Sequence, residues 1–230
     1  PKVKLYLAER KLERLRDSIL TPMDFQKTAT QHHEWIKVGY DESVYDTVSK
    51  TRWNVYTDSP CTNISELCYI WRKIVNSDQR RLEAVDSLRH KHPRMIIFYN
   101  FDYELEMLHE YGDSTNIVYS EWNGHRHEEL PIGTEWLYFV QYTAGAEAWN
   151  CITTDTILFF SQNYSYKTTI QASGRIDRMN TPYTDLFYFH LFSDAPIDKS
   201  IRRCLVKKRE FNEKNFIRAQ FTDYNEEKRS

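Results

Sequence analysis

Cysteine is scarce: the 230 residues hold four, Cys61, Cys68, Cys151 and Cys204, and no two of them form a Cys-x-x-Cys pair. Scattered thiols of this kind read as reduced side chains of an intracellular protein and argue against a disulfide frame. His90 and His92 stand too far along the chain from Cys61 and Cys68 to complete a zinc set, so no metal site is expected. No apolar run approaches the ~18 residues of a membrane span, and no signal peptide opens the chain. A start at Pro1-Lys-Val-Lys without Met reads as a piece cut from something longer. The net charge is only −2, so any nucleic-acid surface must be a local patch. No Gly-x-x-x-x-Gly-Lys-Ser/Thr occurs and no Asp-Glu-x-His box follows a strand, which leaves the chain without a phosphate cradle or magnesium site of its own.

What is present is a core. Hydrophobic residues make up 40% and aromatics 15%, with 16 Tyr whose hydroxyls need partners. Residues 1 to about 20 carry Leu5, Leu12, Leu15 and Ile19 at helical period, and Thr21-Pro22 stops the helix. A strand is expected over His33 to Tyr40, then a short helix capped by Asp41, a connection through Asn63, a helix over Glu66 to Val75 opened by Ser65, and one from about Asp78 to His90 capped by Ser77. After Pro93 the pattern changes. Short apolar runs over Met95 to Tyr99, Asn116 to Tyr119, Trp136 to Tyr142, Thr156 to Phe160 and Leu186 to Leu191 alternate with helical or loop segments. That alternation predicts βαβ units around a parallel sheet covered on both faces, an α/β fold. Pro196 to about Asn215 reads as one long basic helix, followed by a polar tail.

Two stretches carry the chemistry. In Gln171-Ala-Ser-Gly-Arg-Ile-Asp-Arg178, helical geometry would stack Gln171, Arg175 and Arg178 on one face, with Gly174 leaving a gap where a ligand could approach. Two guanidiniums and a carboxamide in one stripe suit phosphate oxygens; a solvated face with Asp177 neutralising a neighbour is the alternative. Ligands of open parallel sheets bind outside the carboxyl ends of the strands, where the arginine stripe is also expected. There Thr143 and Gly145 stand where a strand turns into a helix and could hold a phosphate. Glu147 and Asn150 follow in reach of a sugar hydroxyl. Asn100, Asn123-Gly124 and the run from Ser161 to Tyr166 end the neighbouring strands at the same rim. Other clusters read more simply: His125, His127 and Glu128 as a polar loop, Arg202-Arg203 and Lys207-Lys208-Arg209 as a solvated face or phosphate contacts.

The order of these motifs resembles the second RecA-like lobe (the helicase C-terminal domain) of a superfamily 2 helicase or translocase, closest to the Swi/Snf-type branch as carried by bacteriophages. Arg94-Met-Ile-Ile-Phe-Tyr-Asn100 stands as motif IV and Thr143-Ala-Gly-Ala-Glu-Ala-Trp-Asn150 as motif V, with Ala148 where a glycine is usual. Gln171 to Arg178 matches motif VI, Gln-x-x-Gly-Arg-x-x-Arg, at every defined position. The resemblance implies a RecA-like sheet, with residues 1–75 connecting from a first lobe, 76–198 forming the second lobe, and 199–230 a terminal helix and tail. It implies ATP and Mg²⁺ held mainly by the absent first lobe of the same polypeptide, with Arg178 and Arg175 facing the γ-phosphate and Gln171 sensing it. Gly145, Glu147, Asn150 and Gly174 would lie along the nucleotide. Asn100, Asn123, Gly124, Thr143 and Tyr164 would line a track for DNA, double-stranded foremost and single-stranded as a variant. It further implies a cytoplasmic location, that of a bacterial host for a phage protein, no membrane, and no ATP hydrolysis by the isolated chain. Two other readings stay open: a stand-alone α/β module binding a partner or an anionic ligand, and a nuclease lobe built around Glu128-Glu129.

Overall fold

The computed structural model describes residues 29–144 and 150–227, with side chains described as far as residue 220. Six strands form one parallel sheet: β1 (Thr30–Lys37), β4 (Arg94–Tyr99), β5 (Tyr119–Trp122), β6 (Trp136–Gln141), β7 (Thr156–Phe159) and β8 (Asp185–Phe192). Their order across the sheet is β1-β8-β7-β4-β6-β5. A two-stranded hairpin, β2 (Trp53–Asn54) with β3 (Ser59–Pro60), lies apart from it. The helices are α1 (Glu42–Thr51), α2 (Ile64–Asn76), α3 (Arg80–Arg89), α4 (Asp102–Thr115), α5 (Tyr166–Ser173), α6 (Pro196–Val206) and α7 (Glu213–Glu227).

The central strands are apolar on both faces because both faces are covered. In β4, Met95, Ile97 and Tyr99 pack with Val85 and Leu88 of α3 and Met107 and Leu108 of α4. The alternate residues Ile96 and Phe98 turn to the opposite face, where Ala172 of α5, Ile176 and Cys151 meet them. A third cluster joins α1, α2, α6 and α7 through Val48, Ile70, Trp71, Ile197, Ile201 and Phe216.

Four sequence expectations shift. Residues expected in the segment joining two lobes contribute an edge strand of the sheet itself, since β1 pairs along its whole length with β8. The cap of α2 is Asn63 rather than Ser65, its side chain accepting from the Glu66 N–H at 2.9 Å. The strand expected at Asn116 starts three residues later, because Asn116 takes a left-handed φ of 54° and ends α4. The long basic helix is two: Lys207 closes α6 and Lys208 sits at φ 56°, a turn that α7 then follows. No helix among the described residues is long and apolar enough to cross a membrane.

Candidate functional site

The arginine stretch is not one helix. Ser165 caps the N-terminus of α5 by accepting from the Thr168 N–H, and the helix stops at Ser173. The Gly174 N–H still reaches the Ile170 carbonyl at 3.0 Å, but the Arg175 N–H turns back to Ala172, three residues earlier. The Arg175 carbonyl, which a continuing helix would give to a later N–H, instead accepts from Cys151 at 3.0 Å. Arg175 and Arg178 therefore leave a turn beyond the helix end, and Gln171 stays behind, exposed, on α5. Gly174 has an ordinary φ of −66°, and a Cβ there would meet only the Gln171 and Ile170 carbonyls, at 3.5 Å. The backbone does not require glycine at this point.

The location also differs from the expected carboxyl rim. Helix α5 leaves the carboxyl end of β7 and runs back across the sheet, so its last turn arrives at the amino end. Residues that open strands surround it there. Gln31 of β1 donates to Asp177 at 2.6 Å. Thr154, just before β7, donates to the carbonyl of Arg94, the first residue of β4. Exposed Asn150 precedes Cys151 and so joins the arginine turn, while Thr143 remains, exposed, at the carboxyl rim. Gly145 and Glu147 lie outside the described residues.

Arg175 is 93% buried as a residue, at 7% relative exposure, and Arg178 is half-buried. Burial foremost, and then the charge of Arg178, push the Arg175 guanidinium below its ordinary value. The Arg178 charge is thus near enough to act on Arg175, and the Arg178 Nε is buried with no hydrogen-bond partner, as is the Arg72 Nε elsewhere in the fold. Such a turn is electrostatically matched to an oxyanion with several acceptors.

The carboxyl rim carries a network of hydrogen-bonded polar side chains. Buried Glu104 accepts from Asn76, from the Ser161 hydroxyl and from the Asn100 N–H at 2.7–2.8 Å. Both amide hydrogens of Asn100 are in use, on Ser161 and on the Gln162 carbonyl, and its oxygen accepts from Asn163. Arg72 donates to the same Gln162 carbonyl at 2.6 Å. Beside it Arg81 donates to the carbonyls of Val75 and Phe160 and pairs with Asp198 at 3.0 Å, both side chains buried. Tyr164 faces inward: Arg72 lies 4.8 Å over its ring, and its ring centroid is 4.6 Å from that of Phe211. Asn123 folds the tip after β5 by accepting from the His125 and Arg126 N–H groups, leaving Gly124 exposed with no other atom near its α-carbon side. His127 stacks on Trp122, and among the described residues no group of three or more His, Cys, Asp or Glu converges on a metal position.

Sequence reasoning thus grouped residues that the fold separates: Arg175, Arg178 and Asn150 gather at the amino end, and Asn100, Asn123, Gly124, Thr143 and Tyr164 at or near the carboxyl end. It missed Arg72, Arg81, Glu104, Gln162, His190 and Asp198, all buried. The available signal was a charged or polar residue inside an apolar run, as with His190 in Leu186 to Leu191.

No protein-family model and no curated protein sequence matches the chain. Among solved structures it is similar to the C-terminal part of the Fun30 ATPase domain, with a TM-score of 0.63 and 11% identity, over 86% of this chain and 99% of that one. At this identity the likeness is one of architecture, and the six-stranded parallel sheet flanked by helices is a RecA-like α/β fold.

Proposed function

We propose that the chain is the second motor lobe of an ATP-dependent DNA helicase or translocase of the Swi/Snf type, supplying arginines to ATP held by a first lobe. The observation that carries this reading is the turn after α5 on a RecA-like lobe, where a nine-tenths buried Arg175 feels the charge of Arg178. Charge spreads over the phosphoryl oxygens of bound ATP during transfer, and positioned guanidiniums stabilise that charge without reorganising. Arg178, half-buried where Arg175 is buried, is assigned the transition-state contact. Arg175 is assigned to hold the turn and add positive potential, and Asn150, one residue before the Cys151 whose N–H meets the Arg175 carbonyl, is assigned the ribose. Magnesium ligands are assigned to the first lobe.

Nucleic acid is assigned to the carboxyl rim, through exposed Gly124 and Thr143, with buried Asn123 shaping the tip that presents Gly124. Asn100 acts there by holding the rim in shape, since its amide is committed to Ser161, Gln162 and Asn163. Contacts of this kind go to the phosphate backbone and read little sequence.

The test is DNA-stimulated ATP hydrolysis by the full-length protein and its Arg178→Ala variant. The expected loss is on the order of 10³-fold or more in kcat, with folding intact. Turnover equal to the parent, or a full-length protein without any phosphate loop upstream, would favour the stand-alone anion-binding module instead.

A further inference from the structure

The basic residues after α6 fold into a turn whose place the backbone fixes. Lys207 closes α6, Lys208 takes a left-handed φ of 56°, and the Arg209 N–H returns to the Cys204 carbonyl at 2.9 Å. The chain is then pinned beyond the carboxyl end of β7. The Phe211 N–H donates to the Tyr164 carbonyl at 2.8 Å, and the two rings lie 4.6 Å apart. Glu210 accepts from the Lys167 N–H, in the first turn of α5, at 3.4 Å. Asn163, the residue before Tyr164, donates to the Asn100 oxygen at 2.8 Å. The turn therefore stands beside the carboxyl rim.

Its side chains project into solvent. Lys167, Lys207, Lys208 and Arg209 are all exposed, and none of the four forms an ion pair among the described residues. The two nearest carboxylates along the chain are turned elsewhere, Glu210 to the Lys167 N–H and Glu213 to the Ser65 hydroxyl at 2.7 Å. Neighbouring cations of α6 are used differently. Lys199 pairs with Asp194 at 3.3 Å, and the Arg202 guanidinium lies 4.2 Å over the Phe192 ring. In a chain whose net charge is −2, four cations gathered at one turn make a local positive field that the whole molecule does not have.

We propose that Lys167, Lys207, Lys208 and Arg209 form a second phosphate-binding patch, which carries the nucleic-acid track of the carboxyl rim across β7 to the turn between α6 and α7. From the tip after β5 to the end of β7 is three strand spacings, about 14 Å. One strand of a duplex places a phosphate about every 3.4 Å along its axis, so a single backbone spans the two places with about four phosphates. Charged ends on flexible stems follow a phosphate backbone and read no sequence. The inference rests on the motor reading above and adds to it where on this lobe a further stretch of nucleic acid is held.

The experiment measures the affinity of the full-length protein for a labelled DNA duplex over a series of potassium chloride concentrations. It compares the parent with Lys207→Gln/Arg209→Gln, which leaves Lys208 at its left-handed position. The control is Lys91→Glu, which changes the net charge by the same amount at an exposed position just before β4, at the amino end. Each phosphate contact adds about 0.9 to the slope of log affinity against log salt, so the double variant should be shallower than the parent by about 1.8. Lys91→Glu should keep the parent slope. A double variant whose slope and affinity match those of Lys91→Glu overturns the patch and leaves the motor reading standing. No DNA binding by the parent overturns the nucleic-acid part of that reading and the patch together. A parent-like DNA slope in the double variant, with loss of binding to polyglutamate, assigns the turn to an acidic protein segment and likewise overturns the proposal.

Discussion

The two ends of the sheet differ in how they use polar groups. At the carboxyl rim, Arg72, Arg81, Glu104, Asn100 and Asp198 are buried or half-buried and hydrogen-bonded to one another or to carbonyls. At the amino end, Arg175 is buried, and that burial first and the charge of Arg178 second push its guanidinium below its ordinary value. Groups that satisfy each other hold a structure, whereas positive potential gathered at a turn suits an external anion.

Substitutions on either side should separate these roles. Asp198→Ala strands the Arg81 guanidinium in the interior, and removing one member of a buried pair costs about 3–5 kcal/mol. Arg178→Ala should cost under ~1 kcal/mol, since it relieves repulsion as it removes contacts. Urea unfolding of the two variants checks the contrast, and equal losses would break it.

A second effect is pH-dependent. His190 is held near 3 in the folded chain, below its ordinary value of 6.5, by burial first. The unfolded chain gains this proton below about 6.5 while the folded chain does not, so stability is complete above that pH and declines as the pH falls toward 3. The slope from this group is at most about 1.4 kcal/mol per pH unit. Comparing urea unfolding at pH 7 and pH 5 should show the decline, and His190→Phe should flatten it. A parent equally stable at both values would remove the premise that this histidine is neutral inside.

The smallest effect is at Gly174. Its φ is ordinary and a Cβ meets nothing nearer than 3.5 Å, so Gly174→Ala should leave folding unchanged or improve it by about 0.4–1 kcal/mol. If ATP turnover nevertheless falls in the full-length variant, the glycine serves the close approach of a ligand. Unchanged turnover would show that the missing side chain matters to neither.

The sheet was legible because strands buried on both faces are written as uninterrupted apolar runs, as in Met95 to Tyr99. The existence of the arginine motif was equally plain. Its geometry was not, because Gln171, Arg175 and Arg178 have helical spacing and nothing local reveals that Cys151 takes the Arg175 carbonyl. Nor does a sequence show that a crossover helix carries its last residues to the far end of the sheet. Arg81 and Asp198 were unreadable for a related reason: they lie 117 positions apart, and each alone looks like a surface residue. The place of Lys207, Lys208 and Arg209 beside the carboxyl rim depends on the Phe211 N–H meeting the Tyr164 carbonyl, which only the fold supplies.

Amide hydrogen exchange of the full-length protein tests the assignment of the two ends most directly, with a transition-state analogue of ATP added in one arm and duplex DNA in the other. Slower exchange at residues 174–178 with the analogue, and at residues 123–126 and 143 with DNA, is the predicted result. Protection of the arginine turn by DNA, with none there from the nucleotide analogue, would contradict the account.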